Sequence, residues 1–124
     1  MGDNMGRKLA DYPMYAPLVK HIYDELIYDH FEELVRQGLA APSTASEYRA
    51  ALRARLGGKA IGSIPDEVLV DGYVFEIDGH KSDGLSIEVP IFSEEGRSNA
   101  FMILRAKKDN AAKPTLYLYD ILVP

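Results

Sequence analysis

Leu85-Ser86-Ile87-Glu88-Val89-Pro90-Ile91 alternates apolar and non-apolar positions with a period of two, broken in kind only by Pro90. That is the pattern of a strand buried on one face. Proline cannot donate to a sheet ladder, so Pro90 places an edge or a bulge in the strand. Beyond it, Ser93-Glu94-Glu95-Gly96-Arg97 reads as a turn, Asn99 to Ala106 as a strand apolar on both faces, and residues 107–113 as a polar hairpin loop closed by Pro114. Thr115 to Val123 is the last strand. Strict alternation sets Leu116, Leu118 and Leu122 on one of its faces and Tyr117, Tyr119, Ile121 and Val123 on the other. Before the quoted stretch, Val68-Leu69-Val70 leads into the turn pair Asp71-Gly72, Tyr73 to Ile77 alternates again, and residues 78–84 are a loop rich in Gly and Asp.

The first half of the chain carries a different period. From Tyr15, apolar residues fall at 15, 18, 19, 22, 23, 26, 27, 31, 34 and 35, which is helical spacing. The pattern predicts one helix from about Pro17 to Gln37, with Pro17 in the first turn and Gly38 as its stop. Thr44 and Glu47 have capping-box spacing and start a second helix, whose stripe is Tyr48, Ala51, Leu52 and Leu56 and whose end is Gly57-Gly58. Helices followed by strands on short connections give the α+β class: two N-terminal helices packed on a curved antiparallel sheet of about four strands. Residues 1–12 are expected to be a flexible N-terminus and residues 13–124 a single domain. Because the last two strands are apolar on both faces, the face away from the helices must meet a curl of the sheet, a second copy or a partner.

The chain has 124 residues, 47% of them hydrophobic, and no cysteine. Its apolar fraction excludes a disordered chain. No run approaches the roughly 18–20 apolar residues of a membrane span. Disulfides, thiol nucleophiles and Cys-ligated zinc are excluded outright. The start, Met1-Gly2-Asp3-Asn4-Met5-Gly6-Arg7-Lys8, lacks the apolar stretch of a secretory signal, so a cytoplasmic location is expected. Net charge is -5. Residues 1–64 balance 8 basic with 8 acidic groups, whereas residues 65–124 set 6 basic against 11 acidic ones. Such a balance disfavours nucleic acid and would attract a basic protein; it also simply keeps a small domain soluble.

Helical projection groups Asp24, Glu25, Tyr28 and Glu32 opposite the apolar arc, with Asp29 and Glu33 at its flank. A solvated helix face accounts for this, and so does an acidic docking strip around Tyr28. The acidic loops containing Asp78, Asp83, Glu94 and Glu95 are the other candidate contacts. His30 projects into the apolar arc, as a core histidine or as a general base in a cavity. Asp120 interrupts an apolar strand and, if buried, needs a partner such as Arg97 or Arg105. His21 and Glu25 could supply two metal ligands, but no third is placed by spacing, so no metal and no cofactor are expected.

Glu94-Glu95-Gly96-Arg97-Ser98-Asn99, an apolar strand, and then Leu118-Tyr119-Asp120-Ile121-Leu122-Val123 resemble the C-terminal part of a group of small bacterial proteins. In outline that group is similar to cystatin-like and nuclear-transport-factor-like domains. Some such domains serve as immunity proteins, and the group brings no catalytic residues. The resemblance implies a binding protein, an immunity-type inhibitor that neutralises a basic toxin by surface complementarity. Two other readings stand beside it: a cavity-bearing enzyme or small-molecule binder using His30 and Asp120, and a homodimer formed through the sheet.

Overall fold

A computed structural model describes residues 7–67, 73–76, 85–106 and 115–123. Among these residues, five strands form one antiparallel meander in the order β1 (Arg7–Lys8), β2 (Tyr73–Glu76), β3 (Leu85–Ser93), β4 (Gly96–Ala106) and β5 (Leu116–Leu122). The three long strands β3 to β5 make the body of the sheet, and β2 and β1 continue it as short additions. Helices α1 (Ala16–Ile27), α2 (Phe31–Arg36) and α3 (Ala45–Arg55) precede the long strands, as the α+β reading requires. Residues 7–12 belong to the fold rather than to a loose terminus. Arg7 and Lys8 pair with Val74 and Tyr73, and Leu9 opens a 3₁₀ turn with its side chain fully buried. The stretches 68–70, 78–84 and 107–113, with Asp78 and Asp83, lie outside the described residues.

The single helix expected from Pro17 to Gln37 is two helices. At the end of α1, the Asp29 N–H bonds the Leu26 carbonyl at 3.1 Å, the His30 N–H bonds the Glu25 carbonyl at 2.9 Å, and Asp29 takes φ 62°. This is the Schellman stop, which needs one residue in the left-handed conformation. The same pair of bonds ends α2 at Gly38 (φ 75°) and α3 at Gly57 (φ 63°). Glycine reveals those two stops in the sequence, while at the first one aspartate, which tolerates the conformation better than most residues, stands in its place. The apolar period continues across the break because Phe31 and Leu34 still reach the core. Thr44 and Glu47 form the expected capping box at α3.

The core lies between the helices and one sheet face. Val19, Ile22, Tyr23 and Leu26 of α1, Phe31 and Leu34 of α2, and Tyr48 and Leu52 of α3 meet Ile87, Val89, Ile91, Ala100, Met102, Leu104, Leu116, Leu118 and Ile121. Two irregularities interrupt the ladders: the β3–β4 register shifts between Pro90 and Phe92, and the β4–β5 register shifts between Ile103 and Leu104, where Tyr119 is extra. Pro90 therefore marks a bulge in an interior strand. A bulge frees backbone groups that must be bonded elsewhere: at the second one Tyr48 reaches the carbonyl of the extra residue, Tyr119, while Tyr23 bonds β3 on its edge away from β4, where the Phe92 carbonyl also takes the Gly62 N–H. The Tyr23 hydroxyl accepts the Phe92 N–H at 2.9 Å and donates to the Gly62 carbonyl at 2.8 Å. The Tyr48 hydroxyl lies 3.2 Å from the carbonyls of both Leu118 and Tyr119. The second bulge also flips the end of β5. Ile121 is fully buried and Leu122 is 38% exposed, the reverse of strict alternation.

Burial pushes the Tyr23 hydroxyl up to about 12, with the Phe92 N–H partly opposing and Asp24 adding to the rise. A raised pKa keeps its stabilising contribution below the unfolded value near 10 and loses it as pH climbs through the folded value. Unfolding free energy should fall by up to about 3 kcal/mol between roughly pH 10 and 12. A urea titration series should show the loss shrinking in Tyr23→Phe, which has no hydroxyl to ionise.

The other sheet face is covered largely by the chain itself. The Arg105 guanidinium lies 3.6 Å from the centre of the Tyr119 ring, and that of Arg97 lies 5.9 Å from the Phe101 ring. Arginine stems and aromatic rings thus shield apolar surface while keeping charge near water, and Ile103 is only 9% exposed. The outer edge of β5 is occupied as well. Leu118 exchanges backbone bonds with Leu39 and Ala41 at 2.8 and 3.0 Å, and the Asp120 carboxylate takes the Ile121 N–H at 2.8 Å. Occupation at Leu118, in the middle of the strand, hinders strand addition along this edge.

Candidate functional site

The α1–α2 break builds a ledge. With Asp29 in the left-handed region, the chain turns outward at Tyr28, which is 66% exposed. The His30 ring lies 5.9 Å from the Tyr28 ring and its Nδ1 is 3.1 Å from Glu25 Oε1. His30 is therefore an exposed residue ahead of α2, a correction to its expected place in the apolar arc. The cause is the break itself, which rotates α2 relative to the wheel drawn for one continuous helix. The pairing with Glu25 is of the kind that holds a histidine in one orientation.

The acidic strip exists, but most of it is paired. Asp24 meets Lys20 at 3.1 Å, and Glu33 meets Arg36 and the Gln37 amide. Arg49, reaching over from α3, donates from Nε to Asp29 at 2.7 Å and from Nη2 to Glu32 at 2.7 Å, while stacking 5.4 Å from the Phe31 ring. The Arg49 bonds hold Glu32 below the usual carboxylate range, and those two carboxylates raise Arg49 itself. No spacing rule could have found Arg49, since its partners are 17 and 20 residues away. Beside the ledge lies a cleft of about 380 Å³ with an apolar floor from Leu26, Ile27, Phe31 and Leu52 and with Asp29 and Arg49 in its wall.

The remaining candidates are dispersed. Glu94 and Glu95 sit exposed in the β3–β4 turn, and Glu95 is bound to Lys59 at 2.7 Å. Asp120 is half-buried on β5, and neither Arg97 nor Arg105 pairs with it among the described residues. His30 and Asp120 share no hydrogen bond or ion pair and line neither described cleft, so the geometry does not assemble them into a site. Among the described residues, no group of three or more His, Asp or Glu side chains is placed to hold a metal, and no helix is long and apolar enough to cross a membrane.

No family model, curated protein or solved structure matches this chain.

Proposed function

We propose that the chain is a binding domain that neutralises a protein partner by surface complementarity, an immunity-type inhibitor, with Tyr28 at the centre of its contact. The observation that carries this reading is the ledge: a two-thirds exposed tyrosine held by a strained non-glycine residue (φ 62°) beside an apolar-floored cleft. Strained backbone and exposed aromatics are both more frequent where proteins bind than elsewhere. The five carboxylates from Asp24 to Glu33 face three fixed cations, Lys20, Arg36 and Arg49. The ledge thus keeps a negative surplus suited to a basic partner.

A photo-crosslinking residue at position 28 tests this in cells, with one at the exposed Ser46 as control. The expected product is a cross-link from position 28 alone to a basic protein whose toxicity the purified chain abolishes. Tyr28→Ala should weaken that complex by about tenfold or more and leave the melting temperature unchanged. Equal cross-linking from both positions, or an unaffected complex, would refute the reading. Reversing Asp29 and Glu32 is unsuitable, because it would strip Arg49 of both acceptors.

Self-association through the sheet is a second reading, supported by one detail. Arg105 Nε is buried without an acceptor, while Glu88 and Asp120 on the same face have no cation among the described residues. A two-fold partner would bring carboxylates to that guanidinium. Sedimentation velocity should then give a dimer that Leu122→Lys disperses; a monomer at every concentration would end this reading.

A further inference from the structure

The proposed function leaves the Glu94–Asn99 turn unused, and that turn forms one wall of a second cleft, of about 390 Å³. The opposite wall is the segment after α3. Two bonds clamp the walls together, Gly62 N–H to the Phe92 carbonyl at 2.7 Å and Glu94 N–H to the Ala60 carbonyl at 3.0 Å, and the Tyr23 hydroxyl of α1 bridges behind them from the Phe92 N–H to the Gly62 carbonyl. Serines shape the turn from within. Ser93 Oγ accepts the Glu95 N–H at 3.0 Å, and Ser98 Oγ donates to the Ile91 carbonyl at 2.6 Å while accepting the Ala100 N–H at 3.0 Å. The cleft is therefore set before any ligand arrives, which lowers the cost of binding.

Its charge runs against that of the chain. Arg55, Lys59 and Arg97 line it against one carboxylate, Glu95, in a protein of net charge -5. Lys59 is held by Glu95, whereas neither Arg55 nor Arg97 has a carboxylate partner among the described residues. Two guanidiniums without a carboxylate partner among the described residues, that of Arg97 lying beside the Phe101 ring, with the Asn99 amide nearby, offer more donors than one carboxylate ligand can use. A positive surplus of two matches a phosphate monoester, which carries about −1.5 to −2 at neutral pH. The volume lies within the range of roughly 300–1,000 Å³ seen for small-molecule sites, leaving space beyond a phosphate for an organic group. We propose that this cleft binds a small molecule carrying a phosphate monoester, with Arg55 and Arg97 as its principal anion contacts.

Isothermal titration at constant ionic strength with glycerol 3-phosphate, inorganic phosphate and acetate tests the proposal. Glycerol 3-phosphate should bind with 1:1 stoichiometry and more tightly than acetate. Arg55→Ala and Arg97→Ala should each weaken it by about tenfold, with the melting temperature unchanged in Arg55→Ala, whose side chain is exposed, and slightly lowered in Arg97→Ala, which uncovers the Phe101 ring. Glu95→Gln should tighten binding severalfold, since it removes the one carboxylate among the described lining residues and frees Lys59. Tighter binding of inorganic phosphate than of the ester would overturn the organic part of the proposal. No binding of either phosphate, equal binding of acetate, or indifference to all three substitutions would overturn it entirely.

Discussion

Ile121→Ala should destabilise the protein by about 2–5 kcal/mol, while Leu122→Ala, one residue on, should cost less than about 1 kcal/mol. Ile121 is fully buried against the helices, and Leu122 is 38% exposed on the other face. The asymmetry rests on the extra residue at Tyr119. A regular strand would keep Leu122 in phase with Leu116 and Leu118 and expose Ile121, reversing the two costs. Equilibrium unfolding in urea of both variants decides the matter, with the slope checked so that only stability is compared. A larger loss in Leu122→Ala would mean that the strand has no bulge.

Gly62→Ala should cost about 3 kcal/mol or more, one of the largest effects available from adding a single methyl group. A Cβ at this position would lie 2.5 Å from the Ser93 carbonyl oxygen and 2.9 Å from its carbon. Both are backbone atoms of β3, so no side-chain rotation can relieve the contact. Separating the strands would also lengthen the Gly62–Phe92 bond and pull the Gly62 carbonyl from the Tyr23 hydroxyl. Thermal unfolding should show the loss, and the phosphate affinity of the neighbouring cleft should fall with it. By contrast, Gly57→Ala meets no atom within 4 Å and faces only the strain of φ 63°, about 1–2 kcal/mol.

What the sequence discloses depends on the range of the interaction. The capping box at Thr44 and Glu47 and the glycine stops at Gly38 and Gly57 are local and legible. The stop at Asp29 uses the same hydrogen bonds, yet an aspartate inside an unbroken apolar period gives no sign of it. The stop at Asp29 is what takes His30 off the apolar arc, since a continuous helix would carry it onto that face. The bulge at Tyr119 is hidden for a similar reason: every residue around it is compatible with a strand on either face. Tyr23 and Tyr48 are visible as apolar positions on their helices, but the carbonyls that their hydroxyls bond lie 39 to 71 residues away. The acidic strip was legible as composition along one helix face. The pairing of its Asp29 and Glu32 with Arg49, and the gathering of Arg55 and Arg97 at one cleft, are products of the tertiary fold.

The meander order has a consequence for how the chain matures. Apart from the pairing of Arg7 and Lys8 with Val74 and Tyr73, its strand pairings join sequence neighbours, so the long sheet strands can zip up by short-range steps, which are fast. The helices are made first on the ribosome but depend on the strand made last, since both α1 and α3 pack on β5. Until Leu116–Leu122 clears the exit tunnel, Val19, Ile22, Tyr48 and Leu52 lack part of the surface that covers them in the finished core. The two tyrosine hydroxyls also close at different times. Tyr23 can find Phe92 once β3 is out, whereas Tyr48 must wait for Leu118. A nascent chain stalled just short of β5 would therefore hold a partly docked α1 and an α3 that meets α2 but lacks its sheet contact. In that interval the unfinished domain would be most exposed to chaperones and proteases.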